Sequence, residues 1–397
     1  MPVIRSEPAE IALLPDTPAV FTLRMHADAE PYVGKTKRLR SRVQRLLEPP
    51  TPAVESKRLT LAGQVATIEY VPVYSEFEAR LELYRTLKRE FPASYRRKLR
   101  MRTPPVIRIA YGNPFPRAVV TRRIGSDPQT VYFGPFRSRK DAEQALHAAL
   151  DLYLVRRCVE DLAPAVDHLG CVYGEMKMCM APCQLRASAE EYRGEVRRLE
   201  RFLETLGEAP LAAVGNARDE AAAQLAFEQA AALHVKHQKM RSAAQQFPEC
   251  VRRIDRWDGM MLQPGAEEHS VRAYRVHGSA IAEAVEVRFE DVADASAKQL
   301  YAKLRDVLDM HEPCFPTSSA ERVEHLWVLQ KWLYRNPKTR TGELVLADVD
   351  GVISSRKLAN VLLRLLKPGT AQADPAAISS SNTAGGPDDG AGVADAH

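Results

Sequence analysis

Apolar and polar positions first form a clear pattern at residues 19–34, where AVFTLR and PYVG flank the turn-prone HADAE; this predicts a β-hairpin. Leu39, Val43, Leu46 and Leu47 follow at i, i+4, i+7 and i+8, which predicts a helix with one buried stripe. ESKRLTLAGQVATIEYVPVYS reads as a loop and then a strand. SEFEARLELYRTLKRE reads as a helix packed through Phe77, Leu81, Tyr84 and the aliphatic stem of Lys88. Strands are predicted at about 106–111, 117–123 and 131–133, with a helix after them.

From about Ala189 to Gln246 the pattern is almost wholly helical, with a break predicted near GEAPLAAVGN. Residues from about 256 to 368 return to mixed character, with strands in VRAYRV and AEAVEVRF and helices in ASAKQLYAKLRDVLDM and RKLANVLLRLL. The tail from Thr370 is Ala, Gly, Ser, Pro and Asp, a composition that cannot bury a core and predicts disorder. The class is therefore α/β. The predicted segments are 17–100, a small mixed sheet with helices; 101–190, a strand block and cysteine-rich stretch; 191–246, a helical region; 247–368, a C-terminal α/β region; and 369–397, a disordered tail.

Composition narrows the class further. A chain of 397 residues exceeds what one core normally serves, so several domains are expected. Six Cys are too few for a secreted disulfide scaffold, and four of them cluster, which favours a metal or cluster site in a reducing compartment. MPVIRSEPAE lacks a signal-peptide pattern, and no apolar run approaches the roughly 18 residues of a membrane span, so a cytoplasmic location is expected. The net charge of +5 is modest, but Lys and Arg crowd the first third. Lys35, Lys37, Arg38, Arg40, Arg42, Lys88, Arg89, Arg96, Arg97, Lys98, Arg100, Arg102, Arg122 and Arg123 are candidates for neutralising a phosphate backbone. Singly, each is also compatible with a solvated charged face.

Cys158, Cys171, Cys179 and Cys183 are spaced C-x12-C-x7-C-x3-C. Thiolates suit iron-sulfur clusters and structural zinc alike, and the spacing lacks the C-x2-C knuckles typical of zinc. Four buried free thiols would satisfy the spacing as well.

Several segments together resemble the UvrC family of the bacterial excision-repair nuclease, including its short relative Cho. PYVGKTKRLRSR resembles the second motif of the GIY-YIG nuclease fold, FPRAVVTRR and YFGPFRS resemble the strands that follow in UvrC, and CMAPC resembles the end of its cysteine region. The resemblance implies a 4Fe-4S cluster on Cys158, Cys171, Cys179 and Cys183, with zinc as the alternative. ARDEAAAQLAFEQAAALHVKHQKMR is similar to the UVR motif that binds UvrB, through Phe227, Glu228, Ala230, Ala231 and Leu233. An ordinary intramolecular helix pair is the competing reading. The resemblance covers roughly residues 17–245; beyond it, VRAYRVHGSAIAEAVEVRF only weakly resembles the start of UvrC's ribonuclease H-like half.

Phosphodiester hydrolysis needs an oriented water or base, a cation for the developing charge and, as a rule, a carboxylate-bound metal. By the resemblance, Tyr32, Gly34, Lys35 and Arg42 match the family's catalytic positions. The departures concern the rest of the set. The first motif reads AVF, so its Tyr position is Phe21, and an ungapped alignment puts Leu83 at the metal-binding Glu and Tyr95 at the Asn. Glu82 would be the displaced metal ligand, yet one residue on a helix turns a side chain by about 100°, and Glu76 and Glu90 lie about 10 Å to either side of Leu83. These readings imply an excision-repair protein that binds DNA through residues such as Lys37, Arg38, Arg40, Lys88, Arg97, Arg122 and Arg123, and a UvrB-like partner through Phe227, Glu228, Ala231 and Leu233, with a weakened or inactive nuclease site. The alternative is an active Mg2+- or Mn2+-dependent endonuclease using Glu82 or Glu78. His234 and His237 read as surface positions, Cys250 and Cys314 as buried thiols, and Trp257, Trp327 and Trp332 as packing residues.

Overall fold

The structure, a computed structural model, describes residues 2–26, 29–49, 60–159, 162–290, 292, 295–316 and 318–366; the predicted disordered tail lies outside the described residues. The chain forms two compact units: the described residues up to Tyr95 together with Pro337–Thr341, and the described residues from Arg96 to Asn336 together with those from Gly342 on.

The N-terminal unit contains β1 (Val3–Arg5), α1 (Pro8–Ala12), β2 (Ala19–Met25), β3 (Tyr32–Thr36), α2 (Leu39–Leu47), β4 (Val65–Pro72) and α3 (Glu76–Glu90). The strand order is β1-β4-β2-β3, and every pairing is antiparallel. The expected mixed sheet is corrected here. The crossover through α2 does return β4 parallel to β3, but β2 lies between them and pairs antiparallel with both. Side chains alternate across β2 with period two. Ala19, Phe21 and Leu23 face a core with Leu39, Val43 and Leu46 of α2, whereas Val20 faces Val73, Ala79 and Leu83 on the α3 side. Ser75 caps α3 by accepting from the Glu78 N–H at 3.1 Å, and the Glu78 carboxylate accepts from the Tyr74 N–H at 2.8 Å.

The short helix α4 (Tyr95–Lys98) leads into the second unit. Its first sheet contains β5 (Val106–Ala110), β6 (Ala118–Thr121) and β7 (Thr130–Gly134), followed by α5 (Arg139–Leu150), α6 (Val172–Glu175), α7 (Ala189–Glu204), α8 (Glu208–Ala223), α9 (Phe227–Ala244) and β8 (Arg252–Arg253), in the strand order β6-β5-β7-β8. Ile107 and Phe133 share one core with Tyr192, Val196, Leu199 and Phe202 of α7 and Met240 and Ala243 of α9, so the strand block and the helical region pack as one body. The helical stretch breaks at the start of GEAPLAAVGN, as expected. Gly207, at φ +84°, makes the break, and Pro210 falls in the first turn of α8, where its missing N–H is not needed.

A five-stranded antiparallel sheet follows, from β9 (Gly259–Pro264), β10 (Ser270–His277), β11 (Ala280–Ile281), β12 (Val285–Arg288) and β13 (Glu343–Leu346). The helices α10 (Ala297–Asp309) and α12 (Ser355–Leu366) cover it through Leu300, Leu304, Leu308, Leu358, Val361 and Leu362. The helix α11 (Ser319–Leu333) has no predicted counterpart. Glu324 and His325 are buried together with Leu326, Trp327, Val328 and Leu329, and a helix buried most of the way round carries no clear amphipathic period. The Gln330 amide donates to the Phe136 carbonyl at 2.7 Å, and the Tyr334 hydroxyl donates to the Pro135 carbonyl at 2.8 Å, which joins this region to the first sheet. All three Trp are buried. Cys250 is half-buried and Cys314 exposed, which corrects the expectation of two buried thiols.

Candidate functional site

Chemistry-bearing side chains gather at two places, one in each unit. In the N-terminal unit, β3 presents Tyr32 toward α2, with its ring 6.0 Å from that of Phe21. A Cβ at Gly34 would lie 3.1 Å from Phe21 Cζ and 3.2 Å from Tyr32 Cε1, so the pair of rings closes over a glycine. Arg42 on α2 brings Nη2 to 3.5 Å from Tyr32 Oη. A guanidinium and a phenol so placed can contact a phosphate oxygen.

Lys35 does not join them. It projects from the opposite face of β3, where its ammonium lies 2.6 Å from the Glu76 carboxylate, which is also 3.3 Å from Arg80. The carboxylates of α3 are engaged in holding the fold: Glu76 with Lys35, Glu78 at the helix cap, and Glu82 as acceptor from the Thr86 hydroxyl at 3.3 Å. At the helix end, Glu90 and Glu69 both pair with Arg24. Burial alone would raise the Glu90 carboxyl, but hydrogen bonds from Arg24 and Arg89 outweigh it and hold the group below its ordinary range. Leu83 packs against Val20, Val73 and Ala79. Among the described residues, no three His, Cys, Asp or Glu side chains are grouped so as to hold one metal ion.

The basic residues divide between the units. In the N-terminal unit Arg38 pairs with Asp16 at 2.9 Å, Arg40 donates to the Leu14 carbonyl, and Lys88 reaches the Tyr84 hydroxyl at 3.0 Å; Lys37 is half-buried. In the second unit Arg97, Arg122 and Arg123 are exposed, and Arg122 donates to the Thr103 carbonyl.

The second place is the cysteine segment. Cys158, Cys171 and Cys179 are half-buried and Cys183 is buried. Burial pushes the Cys179 thiol up to about 11; the Ala181 N–H opposes the rise, and the neighbouring Cys158, Cys171 and Cys183 add to it. Around them the backbone turns left-handed at three non-glycine residues, Lys177 (φ 56°), Ala181 (φ 50°) and Leu185 (φ 55°), as well as at Gly170. Such positions are strained, cluster at functional sites, and orient successive N–H groups into concavities that suit anions and iron-sulfur groups. Cationic contacts converge on Cys158. Arg156 Nη1 lies 3.5 Å from its sulfur, and Arg117 Nη1 lies 3.0 Å from its carbonyl oxygen. By donor chemistry, four thiols with N–H and guanidinium neighbours suit a thiolate-held cluster, while no three of them are grouped so as to hold a single metal ion.

The α8–α9 hairpin exposes apolar side chains at its tip. Leu225 and Phe227 are 70% and 68% exposed, Glu228 and Ala231 are exposed, and Leu233 is half-buried. His234 is exposed and hydrogen-bonds Gln238, and His237 is half-buried.

With these two places defined, the class is a two-unit α/β protein whose middle part carries a thiol-rich loop. Residues 105–202 match the UvrC/Cho excinuclease middle domain. Among curated relatives, UvrABC system protein C of Gemmatimonas aurantiaca is 32% identical over 234 residues, covering 59% of this chain and 37% of its own length. The protein of the same name from Chlorobium phaeobacteroides is 29% identical over 250 residues, 62% of this chain and 39% of its own. That from Acetivibrio thermocellus is 23% identical over 338 residues, 84% of this chain and 53% of its own, an alignment long enough to run into the C-terminal third. The chain is thus similar to the middle domain of UvrC proteins over residues 105–202, and to UvrC proteins over longer stretches. It spans between about a third and about a half of the length of these relatives. No solved structure matches it significantly, and no helix among the described residues is long and apolar enough to cross a membrane.

Sequence reasoning missed Arg117 and Arg156 beside Cys158, and the pairing of Lys35 with Glu76. Arg156 is visible in VRRC, but its burial is set by the fold around it.

Proposed function

We propose that the chain is a nucleotide-excision-repair protein that binds DNA and docks a UvrB-type partner, and that its N-terminal unit holds DNA without cutting it. The observation that carries this reading is the position of Leu83. The Tyr32–Arg42 pair remains assembled, while the helix position assigned to the metal-binding Glu is an apolar contact to Val20, Val73 and Ala79. Arg42 and Tyr32 would contact phosphate oxygens, and the surrounding Lys and Arg would add sequence-independent, salt-sensitive affinity. Without a carboxylate to hold a divalent cation, the charge that develops on the phosphorane has no metal to stabilise it.

Cys158, Cys171, Cys179 and Cys183 would hold a 4Fe-4S cluster, with zinc as the alternative. Such a group supplies redox-active iron and four fixed bonds across the loop; the chain's own residues set the loop geometry through the left-handed positions at 177, 181 and 185. The α8–α9 hairpin would present Phe227, with Glu228, Ala231 and Leu233, to the apolar face of a partner helix pair, a docking mode in which exposed anchors at helical spacing are buried on association.

The test is incision of lesion-containing duplex DNA by the anaerobically purified chain with UvrA, UvrB and Mg2+ or Mn2+. Salt-dependent binding with no nicks is the expected result. Nicks that vanish in both Tyr32→Phe and Arg42→Ala would show a working site and overturn the reading.

A further inference from the structure

The guanidinium of Arg156 is one of the most deeply buried cations in the described structure; the residue is 4% exposed. It is clamped at two points before it reaches sulfur. Its backbone N–H donates to the Tyr192 hydroxyl at 2.9 Å, and that hydroxyl donates to the Pro116 carbonyl at 2.9 Å. Its Nε donates to the Phe115 carbonyl at 2.9 Å, and Nη1 then lies 3.5 Å from Cys158 Sγ. A buried cation is costly unless an anion and hydrogen-bond acceptors compensate it, and here the sulfur stands in the direction of the guanidinium fork.

We propose that Arg156 is a positioning residue that sets the reduction potential of the group held by the four cysteines, through its contact with the Cys158 sulfur. The inference rests on the iron-sulfur reading above. Its physical basis is the charge of the reduced state. Accepting one electron makes a thiolate-held cluster more negative. A fixed cation and an N–H donor at one of its sulfurs stabilise that added charge, so the potential rises. Because the guanidinium is shielded from water, the interaction is screened little by solvent or salt. The four positions are not equivalent. Cys179 receives a neutral backbone N–H from Ala181, whereas Cys158 receives a charged donor and is held at its carbonyl by Arg117. Arg157, next in sequence, is turned to other uses: Nη2 lies 2.7 Å from Asp151, and its guanidinium sits 5.8 Å from the Tyr173 ring centre.

The experiment is a potentiometric titration of the full chain, purified anaerobically, with iron and sulfide content and visible absorbance measured alongside. The wild-type chain comes first: absence of iron and of the visible band there removes the cluster reading itself, before any variant is made. Given a cluster, Arg156→Gln should keep its iron and absorbance while the reduction equilibrium falls about tenfold, equivalent to about 59 mV for one electron. Arg156→Lys, which keeps the charge but loses the fork, should fall by less. Arg157→Gln should match the wild type. A potential unchanged in Arg156→Gln overturns the proposal, and so does an equal shift in Arg157→Gln, which would make the effect one of general charge. Should Arg156→Gln fail to hold iron, Arg156→Lys decides: a lowered potential supports the proposal and an unchanged one overturns it.

Discussion

The N-terminal unit and the cysteine segment treat their reactive side chains in opposite ways. In the former, the carboxylates are absorbed by the fold, on Lys35, Arg24, the cap of α3 and Thr86, and Leu83 has joined the apolar packing. In the latter, the backbone is held in left-handed turns, and a guanidinium is buried beside a sulfur. Strain and buried charge persist only where surrounding structure maintains them. A single directional ligand can be replaced without disturbing a fold, because a helix face accepts Leu as readily as Glu. A four-thiol loop has no such freedom.

The comparison can be broken most directly at the cysteines. Cys179→Ser should reduce bound iron and visible absorbance to background; full retention in a metal analysis would refute the ligand assignment. The next effect is a gain. Leu83→Glu should confer metal-dependent nicking that Tyr32→Phe abolishes, while lowering stability by about 1–3 kcal/mol because a carboxylate replaces an apolar contact. If DNA remains intact under Mn2+ although the variant is folded by circular dichroism, the missing carboxylate is not what silences the site.

Phe227→Asp should weaken association with a UvrB-type partner by tenfold or more in a binding titration, with a melting temperature close to wild type, because the side chain is already 68% exposed in the free chain. A lowered melting temperature with unchanged binding would assign the hairpin to internal packing instead. Arg42→Ala should weaken DNA binding modestly and reduce the slope of log affinity against log salt by about 0.9, the value of one phosphate contact. An unchanged slope would remove Arg42 from the DNA contact.

The smallest effect concerns acid. The Glu90 carboxyl is held below its ordinary value of 4.5, so it adds stability above that pH and loses it as the pH falls through the lowered folded value. Glu90→Gln should therefore be less stable than wild type near neutrality, with the gap closing as the pH falls below 4.5 and through the lowered folded value. Melting curves across that range measure it, and a gap independent of pH would mean that the Arg24 network is not the source.

Much of the fold was legible because it rests on local periodicity. The hairpin of β2 and β3, the stripe of α2, the face of α3 and the strands β5 to β7 follow from spacings of two and of three to four residues. The helix α11 was not legible, because burial on nearly all sides erases that spacing, whereas the break near GEAPLAAVGN was, through Gly207. The candidate sites divide in the same way. The four cysteines could be named from residue type and spacing, whereas Tyr32, Gly34 and Arg42 were named through the resemblance of PYVGKTKRLRSR to a known motif. That Tyr32 meets Arg42 while Lys35 faces away to Glu76 depends on which side of an edge strand each residue takes. That Arg156 is buried against Cys158, and Leu83 against Val20, depends on contacts between segments distant in sequence or folded around one another. The sequence by itself determined most of the elements and the inventory of reactive groups, because both depend on near neighbours. Only the tertiary structure decided which groups are paired, buried or aimed at one another, because distance and dielectric are properties of the packed chain.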